Sequence, residues 1–331
     1  VEYGNLLEHT RDHLEHKYSR SWFQTFLRRI AIEQVFPFPW RMKLALMTAR
    51  IIRALGVVKV LPNFAREALD LVPSKIKSGK LPLITPAEGD IKGRVGFIDG
   101  CVMQVMFGDT NLASVNLLTH AGWEVYNPHD QACCGALYAH SGQLEKAHEC
   151  ARHNIAVFEM HELKAIVINA AGCGSTLKDY GKLLENDEEW AERAKQFSSK
   201  VKDLTEWISE NDFKPDVAAE KVTYHDACHL AHPQGITTQP RALVSAVAGK
   251  RFVELPEADI CCGSAGSYNL TEPEMAARLQ QRKIDHIIST GVDVVVTSNP
   301  GCLLQIQAGL TKVGSTIRVI HIADYLIGRG E

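Results

Sequence analysis

Short apolar runs alternate with amphipathic stretches along most of the chain, and the order repeats. Arg94 to Asp99 predicts a strand, residues 110–121 a helix, and Trp123 to Tyr126 a second strand. From about Gln143 apolar side chains recur at helical spacing, with Leu144, Ala147, Ala151, Ile155 and Phe158 on one stripe. Ala165 to Asn169 is a continuous apolar run, as expected of a strand covered on both faces. The second half follows the same plan. Val222 to Tyr224, Phe252 to Leu255 and Val292 to Thr297 predict strands. The helix between the last two is expected to open with a capping box at Thr271 and Glu274. Alternating strands and helices imply parallel sheets. The expected fold is α/β, with two tandem pseudo-symmetric halves built on parallel sheets and a helical arm in front.

The arm and a linker are expected over residues 1–90, the first half over 91–215 and the second over 216–331. Turn signals fall at Pro37-Phe38-Pro39 and at Pro62-Asn63. Between Lys17 and Arg53 the arm is basic, with Lys17, Arg20, Arg28, Arg29, Arg41, Lys43, Arg50 and Arg53 against Glu33 alone. Trp22, Phe23, Phe26, Leu27, Phe36, Phe38 and Trp40 are interleaved. Such a segment suits either an anionic membrane surface or packing against the main body, and packing is the favoured reading. Ser74 to Lys92 reads as a linker.

Composition narrows the class. With 331 residues, 45% hydrophobic and 23% charged, the chain has material for a proper core. A net charge of -3 argues against a nucleic-acid partner. No run of 18 apolar residues is present, so no membrane span is expected. The first residue is Val1 rather than Met, which suggests a fragment or a processed product.

The chemistry lies in the cysteines, and their pattern is also written twice. Cys101 is followed by Cys133-Cys134 and then Cys173, at intervals of 32, 1 and 39 residues. Cys228 is followed by Cys261-Cys262 and then Cys302, at intervals of 33, 1 and 40. Each cysteine comes shortly after an expected strand. In parallel sheets the loops beyond the carboxyl ends of strands gather on one edge, so distant thiols can converge there. A vicinal disulfide within either adjacent pair would be strained. Reduced thiols in a cytoplasmic compartment, serving as metal ligands, fit better.

Four thiols match a tetrahedral zinc site or a cubane iron-sulfur cluster. Zinc sites usually use two short Cys-x2-Cys knuckles, whereas the only short pairs here are directly adjacent. Adjacent cysteines reach two irons of a cluster more readily than one small ion. Iron-sulfur is therefore preferred, and zinc at one site stays open. Gly135 and Gly263 follow the pairs and are cofactor-binding candidates, because glycine admits positive φ and can aim its N–H at a sulfur. Cys150 has Arg278 at its matching position and reads as a core residue. His225, His229 and His232 surround Cys228, and His129 precedes Cys133. Structural hydrogen bonding is their expected role. His225, with Asp226, is retained as a candidate for supporting a ligand from behind.

The stretches Asn127 to Gly135 and Leu255 to Gly266, each carrying Cys-Cys-Gly, resemble the CCG cysteine-rich domain of heterodisulfide reductase subunits and related proteins. Asn169 to Tyr180 and Thr297 to Ile306 strengthen the resemblance, which is nearest to glycolate oxidase iron-sulfur subunits. It implies two CCG domains and an electron-transfer role, with one or two iron-sulfur clusters of the 4Fe-4S type. It also implies an FAD-containing partner subunit that oxidises a 2-hydroxy acid such as glycolate or D-lactate. Electrons would pass toward a quinone-type acceptor, with peripheral contact at the inner face of the cell membrane. No catalytic residue is expected in this chain. Two departures from the family pattern stand out. No Cys-x2-Cys-x2-Cys run of the family's ferredoxin-like region is present. The fullest domain also ends each half with Cys-x2-Cys, whereas Ala170 and Asn299 replace the first of those cysteines here. That second departure counts against a five-cysteine cluster and heterodisulfide chemistry. A thiol reductase and a zinc-stabilised interaction module are the alternatives.

Overall fold

A computed structural model of the chain describes residues 3–17, 29–56, 66, 69, 72, 79–211, 220–266 and 268–328. The expected turn at Pro62-Asn63, the basic aromatic stretch 18–28, residues 74–78 of the expected linker and the boundary near 215 lie outside them. The fold is α/β, with eight strands in two sheets among the described residues.

The first sheet runs β1-β3-β2-β4-β5. Its strands are β1 Ile84–Thr85, β2 Gly93–Phe97, β3 Trp123–Tyr126, β4 Ile166–Ile168 and β5 Val201–Asp203. The second sheet runs β6-β7-β8, with β6 Val222–His225, β7 Val294–Thr297 and β8 Arg318–His321. Every pairing is parallel except β1 with β3. Val294, Val295 and Val296 are fully buried together, as a parallel strand covered by helices on both faces must be.

Three expectations are corrected. Phe252 to Leu255 forms no strand, only a parallel bridge from Phe252 to Val222, and this bridge stands where β3 stands in the first sheet. The run reaches Pro256 within four residues, and proline has no N–H for a ladder. The expected linker contains β1, with Leu81 buried ahead of it. The capping box at Thr271 is absent, because the helix begins at Pro273 with Glu272 at its N-cap and no side-chain cap. A capping box does occur at Asp203, whose side chain accepts from the Thr205 N–H at 2.8 Å while Glu206 accepts from the Asp203 N–H at 3.3 Å.

The two halves share one interior. Val95, Phe97 and Val125 belong to the same apolar cluster as Val222, Tyr224 and Val294. Helices Gly108–His120 and Ile322–Leu326 pack on each other, and Leu204–Ser209 packs on Thr238–Ala248, so each half lends a helix to the other. Thr110 Oγ1 donates to Asp324 Oδ2 at 2.6 Å across this seam.

His321 ties β8 to the first sheet. Its Nδ1 accepts from the Ala323 N–H at 3.2 Å, so Nε2 carries the hydrogen and donates to the Asn169 carbonyl at 2.8 Å. The ring is neutral in this arrangement, and burial holds its pKa down at about 4. An unfolded chain takes up the proton near pH 6.5. The stability contributed here is therefore complete above that pH and lost as pH falls toward 4, at most about 3 kcal/mol. Thermal midpoints measured between pH 7 and 4 should fall more steeply for the parent chain than for His321→Gln. Parallel slopes would exclude this histidine as a source of acid lability.

In front lies the arm, with helices Tyr3–Lys17 and Pro39–Ala54 and a π-helix at Arg29–Val35. Among the described residues it packs on the first half. Met42 and Leu46 are buried in the cluster that contains Cys101, Cys133 and Cys134. Arg11 donates to the His140 carbonyl at 3.0 Å, and Glu33 pairs with Lys146.

Candidate metal centres

Eight of the nine cysteines follow the carboxyl end of a strand or of the bridge at Phe252. Cys101 opens helix Cys101–Met106 after β2, Cys133 and Cys134 lie beyond β3, and Cys173 is in helix Ala171–Lys178 after β4. Cys228 opens a helical turn after β6, Cys261 and Cys262 lie beyond Phe252, and Cys302 is in helix Pro300–Lys312 after β7. The two sheets thus bring all eight thiols into two groups of four. Cys101 and Cys133 have their sulfurs 3.6 Å apart. Cys133 also contacts Cys134, and Cys134 contacts Cys173. In the second group the chain of contacts runs from Cys228 to Cys261, Cys262 and Cys302.

Clustering sets the thiols against one another. Hydrogen bonds from Cys101 and Cys134 hold Cys133 well below the ordinary thiol range, helped by the Gly135 N–H. Cys261 is held down in the same way by Cys228 and Cys262. Their partners Cys101, Cys134, Cys228 and Cys262 are pushed up, first by sharing that proton and then by burial. Four thiolates cannot collect in so dry a place without a cation to balance them. A thiophilic metal supplies that charge, so both quartets fit a metal centre.

Gly135 and Gly263 have φ of +84° and +93°. Gly263 N–H donates to Cys261 Sγ at 3.3 Å. A Cβ on Gly263 would lie 2.4 Å from the Ala276 carbonyl oxygen, so the loop packs directly on a helix backbone. Cys150 is half-buried on helix Leu144–Glu159, against Tyr138, Ala139 and Ala147, and burial pushes its pKa up to about 12.

Several supporting residues escaped the sequence reading. Asn154 accepts from the Ala132 N–H at 2.9 Å and donates to the Cys133 carbonyl at 3.1 Å. Tyr180 donates to the Cys134 carbonyl at 2.8 Å. Asn154 could have been found as a polar residue on an apolar stripe. Lys283 is 2% exposed and donates to the Ala258 carbonyl at 3.3 Å, beside the second quartet. Asn299, read from sequence only as a missing cysteine, links the two quartets. Its Nδ2 donates to Cys302 Sγ at 3.5 Å and its Oδ1 accepts from the Gly172 N–H at 3.2 Å, next to Cys173.

The histidines divide. His129 bonds the Leu81 carbonyl at 2.9 Å, His232 is exposed, and His229 lies 3.5 Å from Cys228 Sγ with its ring against His140. His225 is fully buried; among the described residues neither ring nitrogen bonds a nitrogen or oxygen, and the ring's polar neighbour is the Cys302 sulfur, which Cys262 and then His225 hold well below the ordinary thiol range against burial. Asp226 beside it is held by Arg241 at 2.7 Å.

The duplicated architecture matches a known family. A model of the CCG cysteine-rich domain matches residues 95–178 and 222–307, which contain both quartets. The chain belongs to the CCG cysteine-rich domain family. Within that family it is 39% identical to a probable glycolate oxidase iron-sulfur subunit of Bacillus subtilis, over 99% of this chain and 78% of that one. It is 31% identical to the glycolate oxidase iron-sulfur subunit of Escherichia coli, over 98% and 77%. It is also 33% identical to lactate utilization protein A of an Exiguobacterium strain, over 68% and 94%. These likenesses group this CCG protein with the glycolate oxidase iron-sulfur subunits. A crystal structure of a hypothetical protein from Helicobacter pylori superposes with a TM-score of 0.53 at 11% identity, over 81% of this chain and 54% of that one, and shares the fold.

Proposed function

We propose that the chain is the iron-sulfur electron-transfer subunit of a 2-hydroxy-acid oxidoreductase. It would receive electrons from an FAD-containing subunit that oxidises glycolate or D-lactate, and pass them toward a quinone-type acceptor. The observation that carries this reading is the pair of thiol quartets, with Asn299 spanning from Cys302 to the backbone beside Cys173, in a relative of named iron-sulfur subunits. Cys101, Cys133, Cys134 and Cys173 would hold one 4Fe-4S cluster, and Cys228, Cys261, Cys262 and Cys302 a second. When bound, such a cluster supplies a one-electron carrier. The protein's part is to orient the thiolates, keep water away and set the local charge. Gly135 and Gly263 bring backbone N–H groups to the sulfurs, and Lys283, whose pKa burial lowers, would place positive charge beside Cys262 when the quartet's thiolates hold its proton.

The arm supports contact with a membrane face. Trp40, Leu44, Met47, Ile51 and Leu55 form one exposed apolar stripe on helix Pro39–Ala54 and its C-cap, with Lys43 and Arg50 also exposed. Cations flanking an apolar stripe suit an anionic lipid surface. No described helix is long and apolar enough to cross a membrane.

One observation favours a second reading at the first quartet. The 3.6 Å between Cys101 and Cys133 sulfurs is close to the ~3.8 Å edge of a tetrahedral zinc-thiolate site. Purification without oxygen separates the two. Brown protein with iron and acid-labile sulfide in both quartets, bleached by the hydroxy acid only when the flavoprotein is present and restored by a quinone-type acceptor, supports the relay. Colourless protein carrying zinc overturns it.

A further inference from the structure

The two quartets are not chemically equivalent. Matching Cys101 to Cys228 places Ile98 opposite His225. Both side chains are buried, Ile98 at 1% exposure and His225 at 0%. In the first half that position is an ordinary apolar contact at the end of β2. In the second half it is an imidazole at the last residue of β6, aimed toward the carboxyl edge of the sheet where the thiols collect.

A buried histidine normally gives one ring nitrogen a donor and the other an acceptor. His321, at the equivalent end of β8, does so with Ala323 and Asn169. Among the described residues His225 bonds no nitrogen or oxygen, and the polar group beside its ring is the Cys302 sulfur. The ring faces sulfur. A ring nitrogen of His225 and the sulfurs of Cys262 and Cys302 all lie within 4.8 Å of one another. Neutral imidazole is a good ligand for iron and zinc, and a metal shared with the neighbouring sulfurs would engage the nitrogen that no nitrogen or oxygen of the described residues engages.

We propose that His225 is itself a ligand of the metal group held by the second quartet. That quartet is then a mixed thiolate and imidazole centre, while the first quartet is bound by thiolates alone. The inference rests on the reading that the quartets hold iron-sulfur clusters. With four thiols and one imidazole around the group, His225 would take one metal position in place of a thiolate of that quartet; exchanging thiolate for neutral imidazole removes negative charge from a centre and raises its potential, as in two-iron clusters with histidine ligands. Lys283 pushes in the same direction. The second centre therefore sits at the higher potential and is the electron sink of the pair.

The test uses the whole chain, purified without oxygen and reduced, with and without 15N-labelled histidine. Pulsed electron paramagnetic resonance should detect a strongly coupled histidine nitrogen that changes with the label. The coupling should vanish in His225→Ala and in His225→Cys. His225→Cys, which restores an anionic ligand, should keep its iron and show a lower potential at one centre. Iron-loaded parent protein with no histidine coupling, or His225→Cys with unchanged coupling and potentials, overturns this inference and leaves the relay standing. A chain without iron in either quartet overturns the relay and the inference together.

Discussion

Cys262→Ser protein, prepared without oxygen, should hold about half the iron and sulfide of the parent chain, and Cys150→Ser should hold all of it. Cys262 lies mid-way in the second chain of sulfur contacts, between Cys261 and Cys302, and is 1% exposed. Serine at that point offers a hard, weakly acidic oxygen in place of a soft thiolate. The remaining thiols lose both a ligand and the partner with which they share protons. Metal binding and folding are linked, so the second half should also unfold at lower temperature while the first keeps its metal. Cys150 lies on the helix behind the first quartet, packed against Tyr138 and Ala147, with burial holding it as a neutral thiol. Iron analysis of the two variants side by side decides the matter. Equal loss from both would mean that the eight-plus-one partition of the cysteines is wrong.

Gly263→Ala should be the more damaging of the two glycine substitutions, lowering the thermal midpoint by roughly 4 °C. Both glycines have positive φ, so an added Cβ strains the backbone at either site. The surroundings differ. At Gly263 the new carbon would lie 2.4 Å from the Ala276 carbonyl oxygen, a fixed atom of helix Pro273–Thr290. At Gly135 the nearest atoms, the Ala147 Cα and carbonyl oxygen, are 3.3 Å away. A shift of a few tenths of an ångström relieves the second contact but not the first. Gly263→Ala should therefore also displace Cys261 and Cys262 and cost the second quartet its metal, with Gly135→Ala retaining its own. Scanning calorimetry and metal analysis give both readouts. A midpoint for Gly263→Ala no lower than that for Gly135→Ala would remove the packing argument.

The sequence was most informative where the signal is local. Trp123–Tyr126 is the strand expected, and the helix expected from about Gln143 spans Leu144–Glu159. Both are set by the periodicity of their own residues. Phe252 to Leu255 looked equally strand-like but had Pro256 at its end and only one bridge to offer. β5 and β8 are three and four residues long, too short to display a period. β8 nevertheless carries His321, which fastens the two halves together.

From sequence alone one could establish the two cysteine quartets, the alternation that sends each thiol to the end of a strand, and the α/β class. Residue type and spacing carry those facts within short windows. Only the folded chain decided that both sheets share a core, that Asn299 reaches from Cys302 to the Gly172 N–H beside Cys173, that Lys283 is buried beside the second quartet, and that His225 places a ring nitrogen near the sulfurs of Cys262 and Cys302. Gly172 and Asn299 are 127 residues apart, and neither residue's neighbours along the chain hint at the other. Such contacts come from the packing of one half on its copy, where the two quartets cease to be alike.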